Sequence, residues 1–138
     1  TEIIIKHRFI RKFINRKFNI SDILNRYQIS NKIGVLKLDI EYSEYEILDD
    51  IVKNKNSFSA IMIEFHQTHL IENREKINKF YEQLGFNCVD IAINELGGFK
   101  EEMPVVVEIS FINPLYISDS WPFQNRVNHP SKELAIIE

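Results

Sequence analysis

Residues 33–40 read IGVLKLDI and residues 59–66 read SAIMIEFH, two short apolar runs that each end in polar residues. Eight residues with several β-branched side chains are too few for an ordinary helix, and a nearly continuous apolar run of this length predicts a strand buried on both faces. Between the runs, Ser43 is followed at the third residue by Glu46. That spacing fits a capping box, in which hydroxyl and carboxylate each satisfy a free N–H at a helix start. Ile47, Leu48, Ile51 and Val52 give this helix its apolar stripe. The order is strand, helix, strand, which implies parallel strands joined by a right-handed crossover.

Outward from this unit the pattern continues. Ile77, Phe80, Tyr81 and Leu84 predict a second amphipathic helix over Asn73 to Leu84, stopped by Gly85, the residue best suited to a left-handed cap. Phe86 to Ile93 reads as a third strand. Asn94 to Pro104, with Gly97-Gly98, reads as a turn, and Val105 to Ile112 as a fourth strand paired antiparallel with the third. Upstream, Ser21 or Asp22 caps a short helix carrying Ile23, Leu24 and Tyr27. The expected fold class is α/β: parallel strands with crossover helices and a terminal antiparallel hairpin. The expected organisation is a single, partial domain with a basic amphipathic segment at 1–20, an α/β core at 21–112 and a loop-rich tail at 113–138.

Composition narrows the function classes. The chain has 138 residues, 44% of them apolar and 27% charged, with eight Gly plus Pro, which excludes a low-complexity or disordered polymer. One cysteine, Cys88, cannot form an internal disulfide or a multi-cysteine zinc site. With no 18-residue apolar run and no signal-peptide core, the expected location is the cytoplasm. Charge is uneven: up to Lys32 there are eight Lys and Arg against Glu2 and Asp22, and thereafter nine against eighteen acids. Lys6, Arg8, Arg11, Lys12, Arg16 and Lys17 alternate with Phe9, Ile10, Phe13, Ile14 and Phe18. This face reads first as core or interface, and nucleic acid and membrane are set aside as partners.

The candidate site follows from topology. In open α/β sheets ligands bind outside the carboxyl ends of the strands. Asp39 and Glu41 leave the first strand and Glu64 and His66 end the second, so neighbouring strands would gather them on one edge. Three carboxylates and an imidazole so placed suit proton transfer or a divalent cation. The plainer reading has Glu41 and Glu44 favouring the positive end of the following helix and Glu64 pairing with a base. Cys88 reads as a buried hydrophobe. His7 and His69 read as surface groups, with His69 near enough in sequence to approach the cluster. Trp121, Asn125, Asn128 and His129 read as a packed tail or a loop closing over a substrate.

The segment KLDIEYSEYEIL, Lys37 to Leu48, resembles the K-[IL]-D-[IV]-E-G-x-E-x-x-[VIL]-L signature of FkbM-type methyltransferases, and IMIEFH, Ile61 to His66, resembles that family's I-x-x-E-x-H strand. With the later Leu-Gly-Phe, the resemblance spans about residues 21 to 112. It implies a Rossmann-like class I methyltransferase fold and S-adenosylmethionine as cofactor. The implied reaction is O-methylation of a sugar or other small metabolite, the methyl acceptor. On the matched positions, Asp39 and His66 would be catalytic, with His66 the base, and Asp39 and Glu41 would lie at the cofactor. Glu41, Glu44, Glu64 and His66 would meet substrate or a divalent metal.

Two positions depart from the family pattern. Tyr42 stands where the family has Gly, and the Gly-rich turn and acidic strand end expected before the acidic motif are not present. With Thr1 at its start, the chain is expected to be the C-terminal half of such an enzyme, and the strand at 33–40 to expose an edge that drives self-association. The competing class is a non-catalytic interaction module of the same fold, lacking the cofactor-binding half. A third is a carboxylate-metal hydrolase.

Overall fold

A computed structural model describes residues 17–29 and 33–117. The basic segment up to residue 16, His7, and the tail residues Trp121, Asn125, Asn128 and His129 lie outside them. Three helices, α1 (Ile20–Arg26), α2 (Glu44–Lys53) and α3 (Ile71–Leu84), alternate with strands β1 (Gly34–Leu38), β2 (Phe58–His66) and β3 (Asn87–Ile93). A small hairpin, β4 (Phe99–Lys100) with β5 (Met103–Pro104), then leads into β6 (Val106–Ile112).

The four long strands form one sheet in the order β1-β2-β6-β3. β1 and β2 pair in parallel, ending at Leu38 opposite Ile63. β6 runs antiparallel to both of its neighbours. The last strand does pair with the third, as expected, but it inserts between the second and third instead of adding beyond them. Only one parallel ladder therefore exists among the described residues, and the pairing is mostly antiparallel. The hairpin permits this: β3 can reach β2 in parallel only by leaving no room for a returning strand, whereas an inner β6 satisfies backbone N–H and C=O groups on both of its edges. β1, β2 and β3 nevertheless point the same way, so their carboxyl ends share one edge of the sheet.

Among the described residues the helices pack on one side of the sheet. Ile61, Ile63 and Phe65 of β2 and Ile109 and Phe111 of β6 are buried beneath Ile47 and Ile51 of α2 and Ile77, Phe80 and Leu84 of α3, with Ile20 and Leu24 of α1 at the flank. Phe80 meets Phe65 and Phe111 edge-on, with ring centroids 6.5 and 5.7 Å apart. The alternate positions, Ala60, Met62 and Glu64 of β2 and Glu108 and Ser110 of β6, are only half-buried. The expectation of strands buried on both faces is thus corrected for the described residues. An apolar run does not alternate clearly enough to report which of its two faces a helix covers.

The helix ends also differ in detail. Asn19, rather than Ser21 or Asp22, caps α1, and Asp22 completes a capping box as the third residue of the helix. Ser21 instead donates to Asp50 of α2. α2 begins where Ser43 predicts, but Ser43 makes no side-chain cap bond because its backbone is already near-helical (φ −91°, ψ −5°). A capping side chain reaches its N–H from an extended residue. Gly85 does end α3 in the left-handed conformation, at φ 67°.

Candidate functional site

The shared carboxyl edge of β1 and β2 is where the acidic motif lands. His66, the last residue of β2, is 5% exposed. Its ring is held from the helix side by Glu44, the first residue of α2, which is itself fully buried. Glu44 Oε1 accepts the backbone N–H of His66 at 2.7 Å and lies 3.2 Å from the ring Nδ1. A carboxylate oxygen accepts, so Nδ1 is the donor in this contact and Nε2 faces outward. Glu64 Oε1 lies 3.4 Å and Glu41 Oε2 3.6 Å from Nε2. Donor atoms of Asp39, Glu41 and His66 lie within 4.8 Å of one another, so these three residues can hold a metal ion. Among the described residues no lysine or arginine forms an ion pair with any of these four acids.

The loop between β1 and α2 gives the site its shape. Glu41 and Tyr42 both take positive φ, 46° and 71°, a region that costs an L residue roughly 1–2 kcal/mol. Tyr42 is where the resembling signature has Gly, and its left-handed backbone is the physical reason a Gly suits that position. Here the phenol ring lies over the imidazole, centroids 5.0 Å apart. Tyr45 closes the rear by donating its hydroxyl to the His66 carbonyl at 2.6 Å. Burial, and then the charge of Glu44, push the Tyr45 phenol well above its ordinary range, so it is no acid near neutrality.

All five sequence candidates therefore converge, in unequal positions. Asp39 and Glu41 are exposed, Glu64 is half-buried, and Glu44 sits behind the imidazole where it meets protein instead of a ligand. Among the described residues His69 enters none of the cluster's hydrogen bonds or ion pairs: its carbonyl accepts from Arg74 and its ring Nδ1 is buried without a hydrogen-bond partner. Cys88 is buried on the helix side of β3, and its thiol is pushed up to about 11, first by desolvation. Sequence reasoning missed Tyr45 and Asn94, whose amide lies 3.4 Å from Glu64 Oε2. Asn94 follows β3 directly, and the rule of carboxyl strand ends applied to that strand finds it.

No helix among the described residues is long and apolar enough to cross a membrane. No curated protein and no solved structure matches the chain. The family model of the methyltransferase FkbM domain matches residues 8–88, more than half of the chain and all of the loop and strand that build the cluster, and the chain belongs to the FkbM methyltransferase family.

Proposed function

We propose that this chain carries the acceptor side of an S-adenosylmethionine-dependent O-methyltransferase acting on a hydroxylated small metabolite such as a sugar. The observation that carries the reading is the buried imidazole at the carboxyl edge of the sheet, oriented through Nδ1 by Glu44 with Nε2 beside two carboxylates. S-adenosylmethionine, when bound, supplies a sulfonium methyl group open to attack by oxygen. The exposed carboxylates of Asp39 and Glu41 suit the hydroxyl and ammonium groups of such a ligand. Among the described residues the turns after β1 and β2 carry no glycine of the kind that cradles a nucleotide.

The chain's own residues account for acceptor preparation. A neutral hydroxyl is a poor nucleophile, and removing its proton as the new bond forms lowers the barrier. His66 Nε2 and Glu64 Oε1, 3.4 Å apart, form a proton-accepting pair within reach of one hydroxyl. Asp39 and Glu41 orient the acceptor, and Tyr42 limits its approach over the imidazole.

The first test is a calorimetric titration of S-adenosylhomocysteine into the folded chain, with circular dichroism on the same sample. Binding, followed by turnover in a screen of hydroxylated acceptors, supports the reading, and a folded chain that binds no S-adenosylhomocysteine overturns it. Asp39→Asn and His66→Ala should each lower that turnover, His66→Ala by about 100-fold or more, without loss of fold. Unchanged turnover in both variants removes these residues from the reaction.

A further inference from the structure

Four carboxylates, Asp39, Glu41, Glu44 and Glu64, surround one imidazole, and no lysine or arginine among the described residues pairs with any of them. Like charges at this spacing repel, and the repulsion grows as water is excluded. The outward Nε2 of His66, on a ring whose side chain is 7% exposed, lies 3.4 Å from Glu64 Oε1 and 3.6 Å from Glu41 Oε2. On the other side, Glu44 is wholly buried and its Oε2 has no hydrogen-bond partner. Donor atoms gathered in this way, with no lysine or arginine among the described residues paired to them, are a set that a cation would hold together.

We propose that Asp39, Glu41 and the Nε2 of His66 form a divalent-cation site of the Mn2+ type, with Glu44 as the outer carboxylate that orients His66. The geometry meets the requirements separately. One donor atom from each of the three lies within 4.8 Å of the others, the spacing of ligands around a single ion. Glu44 on Nδ1 reproduces the carboxylate–histidine–metal relay, which sets the tautomer and strengthens the ligand. Two hard oxygens and one imidazole suit Mn2+ better than Ca2+ or Mg2+, which take oxygen ligands almost throughout. Asp39 and Glu41 are exposed, so the remaining coordination positions open toward solvent, where an acceptor oxygen would bind. With the cation bound, Nε2 of His66 is a ligand and no longer a base, and Glu64, outside the ligand set, is the group that accepts the acceptor's proton. The use of the ion in methyl transfer rests on the proposed function; the site itself rests on geometry alone.

The test is a titration of Mn2+ into the purified chain, read by loss of the free-ion electron paramagnetic resonance signal, with S-adenosylhomocysteine calorimetry run separately on the same sample. One Mn2+ per chain is expected, displaced only weakly by excess Mg2+. Asp39→Asn, an exposed change that spares the core, should raise the Mn2+ Kd at least about tenfold, and Glu44→Gln, which touches no ion, by about 10- to 100-fold. A folded chain that leaves the Mn2+ signal unchanged overturns the site, as does Mn2+ binding that is equal in wild type, Asp39→Asn and His66→Ala. Cofactor binding without Mn2+ binding would remove the cation and keep the methyltransferase reading. Mn2+ binding without cofactor binding would do the reverse.

Discussion

The two faces of the same sheet make different uses of the same strands. On the helix side, Ile61, Ile63 and Phe65 are wholly buried, together with Ile109 and Phe111, and carry the packing of α2 and α3. On the opposite side, Lys37, Met62, Glu64, Glu108 and Ser110 form a mixed, half-covered surface crossed by a Lys37–Glu108 ion pair at 3.2 Å. The first face holds the sheet together; the second leads to the carboxyl edge where Glu64 and His66 emerge. Polar groups are tolerated there because water still reaches them, and the same groups on the helix side would each cost a desolvation penalty. Among the described residues the sheet is packed by helices from one side only.

The comparison breaks most sharply at adjacent positions of β2. Ile63→Ala should cost about 2–5 kcal/mol, the range for a truncated side chain in a filled core, whereas Met62→Ala next to it should cost about 1 kcal/mol, because its surroundings are already partly wet. Urea unfolding of the two variants measures the difference, and equal costs would mean that both faces are packed. A double-mutant cycle on Lys37 and Glu108 should give a coupling of about 0–1 kcal/mol that fades with salt, since Lys37 is 60% exposed. A larger coupling would mean that this face is covered.

The smallest effect is expected at Cys88, on the helix side of β3. Its thiol is pushed up to about 11 by burial, with the Asp90 charge adding to the shift. The thiolate fraction at neutral pH is therefore small, and alkylation by iodoacetamide should be slow at pH 7 and accelerate as pH approaches 11. Rapid alkylation at pH 7 by a folded sample would show that β3 opens.

Much of the fold was legible because its signals are local. Gly85 stops α3 as its backbone freedom predicts, and the polar ends of both apolar runs fall at the carboxyl ends of β1 and β2. The acidic motif and the I-x-x-E-x-H strand pointed to the family and to the residues that cluster. The cap of α1 was misassigned because Asn19, Ser21 and Asp22 are all good capping residues, and only the entry angle of the chain selects among them. The burial of Glu44 was hidden for a related reason. An acid at the start of a helix reads as a solvated dipole partner, and nothing in its neighbours tells that a histidine 22 residues later fills its other side.

The residues alone therefore determined which of the longer segments become strands and helices and which side chains end on one edge, because periodicity and strand direction are properties of short stretches. The tertiary structure decided that β6 lies between β2 and β3, that one face of the sheet is covered by helices, and that Glu44 grips Nδ1 while Nε2 meets Glu41 and Glu64. Those outcomes depend on which groups meet across the chain and on how much water is left between them, and neither quantity is written in any short stretch of sequence.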